Sequence, residues 1–378
     1  MNKDLAPGLY VHVPFCSGKC PYCDFYSVAS SVSIPAWLEG IAREIELYRG
    51  AVGPIETLYI GGGTPSRLTD GDLAVLLKTL TIRFRLVPDA EVTLEANPED
   101  VTVDRMKRIL ALGVNRVSLG VQSFDERELE FLQRRHTALQ AVGAAEAARR
   151  AGCLNLSLDL IYGLPDQSEA HWIDTLKRAL DFEPEHLSCY ELTVEKGTMF
   201  GRLRDSGKLK LPDEDVSRSL FLATSRFLED HGYVHYEVSN FARGRGYRCR
   251  HNMKYWHHAP YIGLGPAAHS FKDGVRWWNL KSIRGYCDAL EAGRRPVDGE
   301  ETLSREQIAL EAIFLGLRTK DGVDIDLVRA DSECRSELDR LRSEGLASVI
   351  DGRLVLTREG LLFADHIALL LTRIPEGI

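Results

Sequence analysis

"GLYVHVPFCSGKCPYC", residues 8–23, joins a short β-forming run to three cysteines packed into eight positions. The run is the first of six of its kind. "ETLYIG" (56–61), "EVTLEA" (91–96), "NRVSLGV" (115–121), "NLSLDLIYG" (155–163) and "HLSCYEL" (186–192) follow it. Between them lie segments with helical spacing, such as "IPAWLEGIAREIELYRG" with Ile34, Leu38, Ile41 and Ile45 in step, and the alanine-rich "TALQAVGAAEAARRAG" ending on Gly152. Repeated βα units predict a parallel sheet in an α/β fold. Six units are too few to close an eight-stranded barrel, and no GxGxxG opens a helix after the first strand, so an open, TIM-like partial (βα)6 barrel is expected. In such a barrel, function collects at strand C-termini, where the cysteines lie.

Working outward, three regions are expected: a partial-barrel domain over 1–240, a connecting segment over 241–300, and a C-terminal domain over 301–378. The stretch from 240 to 285 reads as loop-like, aromatic and rich in histidine. Beyond Glu301 the pattern is three helices, a hairpin around Asp351-Gly352 and a further helix, a mostly helical, winged-helix-like arrangement. Its 10 Lys and Arg against 15 Asp and Glu are wrong for a DNA-reading wing. The whole chain of 378 residues carries a formal charge of −8, so nucleic acid is not expected as a partner. There is no signal-peptide pattern and no run of about 18 apolar residues, which predicts a soluble, cytoplasmic protein. Nothing in the pattern sets an oligomeric state.

Eight cysteines, five of them scattered (Cys153, Cys189, Cys249, Cys287, Cys334), do not form a secreted disulfide framework. Cys16, Cys20 and Cys23 instead have CxxxCxxC spacing. Thiolates suit iron–sulfur clusters or zinc, and a structural zinc site is normally closed by four protein ligands. Three thiolates on a four-iron cluster leave one iron open to a small chelating molecule. A zinc site completed by His12 or Asp24, or three ordinary buried cysteines, would produce the same spacing.

CxxxCxxC with Tyr22 before the third cysteine resembles the radical S-adenosylmethionine superfamily. The resemblance implies a barrel of that type, a 4Fe-4S cluster on Cys16, Cys20 and Cys23, and S-adenosylmethionine (SAM) chelating the open iron, where an electron cleaves the sulfonium to a 5′-deoxyadenosyl radical. "YIGGGTPS" (59–66) then corresponds to the turn that holds the methionine amino group, although most glycine-rich turns are only tight turns. "GVNRVSLGVQSFDERELEFLQRRHTA" and "SLDLIYGLPDQS" are similar to the coproporphyrinogen dehydrogenase branch. Carried over position by position, Tyr10, Gly62, Glu95 and Arg134 correspond to contacts of one SAM molecule, and Gly63, Thr64, Gln122, Asp159 and Thr193 to those of a second. Arg134 would act as a carboxylate clamp. Each of these residues also has an ordinary role open to it, as a strand-end acid, a capping residue or a surface cation.

Two features divide the branch. Porphyrinogen-forming enzymes carry a further cysteine two residues past the third, where this chain has Phe25, and a longer N-terminal extension, expected to be absent because Tyr10 is so near the start. "PYCDFYS" (21–27) and the HNxxY of "CRHNMKYWHH" (His251, Asn252, Tyr255) resemble the HemW group of haem chaperones. That group implies haem as a further cofactor and apo-haemoproteins such as cytochromes, membrane-associated recipients among them, as partners. His251 is then a candidate axial ligand, or else a residue that satisfies backbone groups of a buried segment. The alternative function is oxygen-independent coproporphyrinogen III dehydrogenation, a radical oxidative decarboxylation, so whether the chain is an enzyme stays open at this point.

Overall fold

The structure is a computed structural model and describes residues 6–372 apart from 49, 51 and 329–331. In chain order, the first half contains β1 (Gly8–Val13), α1 (Ile34–Leu47), β2 (Ile55–Gly62), α2 (Asp70–Arg83), β3 (Leu86–Ala96), α3 (Val103–Ala111), β4 (Arg116–Gln122), α4 (Glu126–Phe131), α5 (Ala138–Arg150), β5 (Leu156–Tyr162), α6 (Glu169–Leu180) and β6 (His186–Glu191). These strands are the six read from the sequence, and β1 to β6 pair in that order, all parallel. The helices begin where local chemistry says they should. Thr69 with Asp72, and Thr137 with Gln140, form reciprocal capping boxes that satisfy the first N–H groups of α2 and α5.

Strand alternation gives the sheet two unlike faces. Leu9, Val11, Val13, Leu58, Ile60, Leu94, Val117, Leu119, Leu156, Leu158 and Leu187 are buried in one large apolar core with helix residues such as Trp37, Ile41, Leu76 and Trp172. Each fully buried aliphatic side chain there stabilises the fold by about 1.5–3 kcal/mol. The intervening residues are polar or aromatic: Tyr10 and His12, Thr57 and Tyr59, Glu91, Thr93 and Glu95, Arg116 and Ser118, Ser157 and Asp159, His186 and Ser188. They line the inner face of the open barrel. A sheet that hides both faces does not ordinarily carry so many polar side chains on one of them.

After α7 (Met199–Asp205) and α8 (Glu214–Asp230), β7 (Val234–Glu237) and β8 (Asn240–Ala242) extend the sheet antiparallel beyond β6. The stretch expected to be loop-like is largely regular. It holds α9 (Arg250–Trp256), β9 (Tyr261–Leu264), β10 (His269–Lys272), β11 (Val275–Asn279) and α10 (Ile283–Glu291), followed by β12 (Val297–Thr302). β9 pairs parallel with β1, and the strands after it add antiparallel, giving a 12-stranded sheet in the order 12-11-10-9-1-2-3-4-5-6-8-7. These strands are only four to six residues long, too short for their alternation to stand out from loop sequence. Glu44 on α1 fastens this extension, its carboxylate accepting from Gly265 N, Asn279 Nδ2 and Tyr286 Oη at 2.6–2.8 Å.

The C-terminal part has α11 (Arg305–Gly316), β13 (Val323–Asp324), α12 (Ile325–Val328), α13 (Ser332–Ser343), β14 (Ala347–Ile350), β15 (Arg353–Leu356), α14 (Arg358–Leu361) and α15 (Ala364–Thr372). The β14–β15 hairpin turns at Asp351-Gly352, both with positive φ, as read from the sequence. It closes its own small core of Leu317, Val328, Leu341, Leu354 and Ile367. Asp321 ties this part to the barrel, accepting from Arg248 at 3.0 Å and His257 at 3.1 Å. Among the described residues no helix is long and apolar enough to cross a membrane.

Candidate functional site

The loop from Pro14 to Ser33 leaves β1 at the C-terminal end of the sheet and carries Cys16, Cys20 and Cys23, all free and half-buried. Cys16 N donates to Val28 O at 3.0 Å and Val28 N to Pro14 O at 2.8 Å, which folds the loop back on itself. The glycine run of β2 seats it. Gly63 N donates to Val13 O and Thr64 N to Phe15 O, both at 2.8 Å. A Cβ on Gly63 would stand 2.7 Å from Val13 O, and one on Gly62, whose φ is +107°, 2.5 Å from His12 Nδ1. Gly63 therefore lets two stretches of protein backbone touch, and Gly62 leaves room for the His12 ring.

Around the thiols runs a connected set of hydrogen bonds. Thr64 Oγ1 lies 3.4 Å from Cys16 Sγ, Asn97 Nδ2 donates to Thr64 Oγ1 at 3.3 Å, Arg134 Nη2 donates to Asn97 Oδ1 at 2.6 Å, and Arg134 Nη1 reaches Cys20 Sγ at 3.6 Å. Two of the three cysteines are thus linked through residues just after β2, just after β3 and in the segment after α4. Arg134 Nη2 also donates to Gly120 O at 3.0 Å, and its Nε is buried without a partner. Gly120 makes room for this: a Cβ there would lie 3.0 Å from Gln122 Nε2, 3.2 Å from Asn97 Oδ1 and 3.4 Å from Arg134 Nη2. Gln122 ends β4 with φ +65°, a left-handed conformation costing a non-glycine residue about 1–3 kcal/mol. The sheet register shifts at the same point.

Three thiols on one half-buried loop, one against a guanidinium and one against a hydroxyl, fit a cluster ligated by thiolates, because such donors stabilise sulfur that carries negative charge. Burial raises the Cys23 thiol, and charge on Cys20 and Cys16 adds to the shift. Among the described residues no three His, Cys, Asp or Glu converge as ligands of one metal ion. His12 is not free to complete a zinc site either. Its Nε2 donates to Tyr26 O at 2.8 Å and its Nδ1 accepts from Tyr10 Oη at 3.0 Å, while burial lowers its pKa to about 4.

Deeper on the inner face stand the acids. Glu95 accepts from Tyr59 Oη at 2.8 Å and Gly62 N at 3.0 Å; burial pushes its pKa up to about 7, and the charge of Asp159 adds to the rise. Asp159 is raised by burial as well, against the pull of hydroxyls from Ser188, Ser118 and Ser157 and of Arg116. Two acids that resist ionisation beside one another make a place where a cation would bind. Thr193 is exposed beyond β6, its hydroxyl donating to Glu191 O at 3.4 Å, and among the described residues it makes no side-chain hydrogen bond to the others.

His251 belongs to the opposite end. It is 1% exposed on α9, which lies across the N-terminal ends of the strands. Its Nδ1 is bonded to Thr57 Oγ1 at 2.8 Å and its Nε2 to Tyr255 Oη at 2.9 Å; burial, with the charges of Lys254 and Arg116, lowers its pKa to about 3. Glu91 caps the helix by accepting from His251 N and Arg250 N at 3.0 Å each. Both ring nitrogens are engaged, so this geometry does not present His251 as an axial ligand. His251 is here held by two side-chain hydroxyls, while the backbone N–H groups at the start of the helix are taken by Glu91.

Sequence reasoning passed over Asn97, Gly120 and the three serines around Asp159. Asn97 had one signal, a polar residue followed by proline at a strand end, and Gly120 another, a glycine inside a strand. The serines had none.

Residues 10–179 match the family described as Radical SAM superfamily, and residues 303–363 the one described as HemN C-terminal domain. The chain is 38% identical over 366 residues to Heme chaperone HemW of Mycobacterium tuberculosis, covering 95% of this chain and 93% of that one. With Heme chaperone HemW of Bacillus subtilis it shares 34% over 370 residues, 95% and 97% of the two chains, and with that of Escherichia coli 41% over 299 residues, 76% and 77%. The solved structure of coproporphyrinogen III oxidase (HemN) from Escherichia coli, at 24% identity, matches with a TM-score of 0.82 over 97% of this chain and 90% of that one, which shows the shared fold.

Proposed function

Because this chain belongs to the HemW family within the radical SAM superfamily, we propose that it is a haem chaperone that binds haem and delivers it to apo-haemoproteins such as cytochromes, membrane-associated ones among them. In this reading Cys16, Cys20 and Cys23 hold a 4Fe-4S cluster, and SAM occupies the adjoining mouth of the barrel. The observation that carries the reading is the identity to HemW proteins along nearly the whole chain. The shared fold of the E. coli oxidase does not favour porphyrinogen turnover, and the chain has Phe25 where that reaction's enzymes have a further cysteine.

When bound, the cluster and SAM supply one-electron chemistry; the protein's part is to hold and polarise them. Tyr10, Gly62, Glu95 and Arg134 are proposed to hold one SAM molecule, and Gly63, Thr64, Gln122, Asp159 and Thr193 a second. Tyr10 donates its proton to His12, so its oxygen offers lone pairs to a ligand donor. Glu95 would receive an ammonium or ribose hydroxyl. Arg134, already on Cys20 and Asn97, acts first on the cluster loop; its orphaned Nε is the donor left for a ligand carboxylate. Haem is assigned no axial ligand, since His251 is spent at the floor.

The test is anaerobic. Reconstituted protein is given haem and apo-cytochrome, and in parallel dithionite, SAM and coproporphyrinogen III. Haem transfer without porphyrinogen turnover is expected. Protoporphyrinogen formed with stoichiometric 5′-deoxyadenosine would replace the chaperone with the dehydrogenase.

A further inference from the structure

The inner face of the barrel does not stop at β1. β9 pairs parallel with β1, β10 and β11 add antiparallel, and alternate residues of these strands continue that face. Trp277 of β11 points the other way, its Nε1 donating to Tyr48 Oη at the end of α1 at 3.0 Å, so Trp278 and its cross-strand neighbour His269 lie on the inner side. Their rings are stacked, with centroids 6.0 Å apart and planes 27° from parallel. Two glycines shape the spot. A Cβ on Gly299 of β12 would stand 2.4 Å from Trp278 Cζ2, so the indole lies against bare backbone, and one on Gly263 of β9 would stand 2.1 Å from His269 O, so β10 comes in close.

Most other histidines are already spent. Among the described residues, His12, His186, His235 and His251 have both ring nitrogens hydrogen-bonded, and His257 and His258 face carboxylates at 3.1 Å. His269 is exposed, and neither of its ring nitrogens is hydrogen-bonded. Partial burial, then the charges of Lys281 and Arg276, lower its pKa, which favours the neutral imidazole that binds metal. Arg276 is tied to Glu301 and Glu311 at 2.8 Å each, whereas exposed Lys281 has no carboxylate within ion-pair distance among the described residues. We propose that His269 is the axial ligand through which the protein holds haem iron, with Trp278 against the porphyrin and Lys281 paired to a propionate. The donor set fits the group: haem iron takes an imidazole lone pair, a porphyrin packs on an aromatic ring, and a propionate pairs with an ammonium. The bond is a coordinate one, and nothing is oxidised or reduced. An exposed ligand also suits delivery, because it leaves one porphyrin face open to a recipient. The inference rests on the haem-chaperone reading given above.

The test titrates full-length protein with ferric haem, read by the Soret band and by electron paramagnetic resonance of the iron. The variants are His269→Ala, Lys281→Glu and, as a second exposed histidine, His231→Ala. His269→Ala should shift the Soret band, weaken binding at least about tenfold, and regain the wild-type spectrum when free imidazole is added. Lys281→Glu should weaken binding by about two- to fivefold without moving the band, and His231→Ala should match the wild type. A wild-type spectrum in His269→Ala would overturn the ligand assignment while leaving haem binding intact. Equal shifts in His269→Ala and His231→Ala would overturn it too, as adventitious binding to surface histidines. If the wild type takes up no haem, the chaperone reading fails and this inference with it. Thermal unfolding and the absorbance of the reconstituted cluster, both expected to be unchanged, check that the fold survives in each variant.

Discussion

The two ends of the barrel are built from the same strands and the same alternation, yet they treat polar groups in opposite ways. At the N-terminal floor, Glu91, Thr57 and His251 are closed onto one another by α9: Glu91 takes two backbone N–H groups and His251 spends both ring nitrogens. At the C-terminal mouth the thiols remain half-exposed, Gln122 is held in a left-handed conformation, and Glu95 and Asp159 are kept from ionising freely. The floor is a finished structure, and the mouth is one that a ligand would complete. CxxxCxxC lies at the mouth, while HNxxY lies at the floor, where both ring nitrogens of His251 are already bonded.

The sharpest break of this contrast is at the thiols. Replacing Cys16, Cys20 or Cys23 with serine should abolish the visible absorbance of the reconstituted cluster while leaving the thermal midpoint nearly unchanged, because each side chain is half-buried and outside the apolar core. Four irons retained per chain in any of the three would remove it from the ligand set. At the floor the effects should be reversed. Glu91→Ala leaves two buried N–H groups without an acceptor and should lower unfolding stability by about 2–5 kcal/mol in urea titration. His251→Ala should lower it by about 1–3 kcal/mol and leave the Soret band of bound haem unchanged. A shifted Soret band would restore His251 as a ligand.

Glu95 sharpens the comparison through pH. Its folded pKa, about 7, lies above its ordinary value of 4.5, so between those values the folded chain holds a proton that the unfolded chain has released. The contribution of Glu95 to stability is therefore present below pH 4.5 and lost as pH rises through 7. An ammonium group bound there requires the carboxylate, so SAM affinity should fall up to about tenfold per unit as pH drops from 7 toward 5. Calorimetric titration of the reconstituted protein reads this directly, and Glu95→Gln should abolish the slope. The smallest expected effect is that of Asn97→Ala, which cuts the bridge between Thr64 and Arg134. It should weaken SAM binding by about 1 kcal/mol, and an unchanged affinity would reduce Asn97 to a strand-end residue.

The six parallel strands were legible because each is a local pattern, and the cysteine motif because its spacing lies within one loop. The short strands from Tyr261 to Thr302 were not, since four to six residues of mixed polarity look like loop until β1 is there to pair with. Glycines 62 and 63 were read as part of a ligand-holding turn, and their packing on His12, Val13 and Phe15 appears only once the cysteine loop is folded over them. Among the mouth residues, Tyr10, Glu95, Gln122, Arg134 and Asp159 came from family resemblance; the partners that fix them came from the structure.

The sequence alone determined what is periodic or contiguous: the βα alternation, the polar inner face, the three thiols and the hairpin at Asp351-Gly352. Tertiary structure decided what depends on residues distant in the chain. Arg134 meets Cys20 across 114 positions and Thr57 meets His251 across 194. No spacing rule encodes such pairs, because a side chain's partner is set by which strands and helices pack together, and the role of a histidine by whether its nitrogens are already bonded once they do.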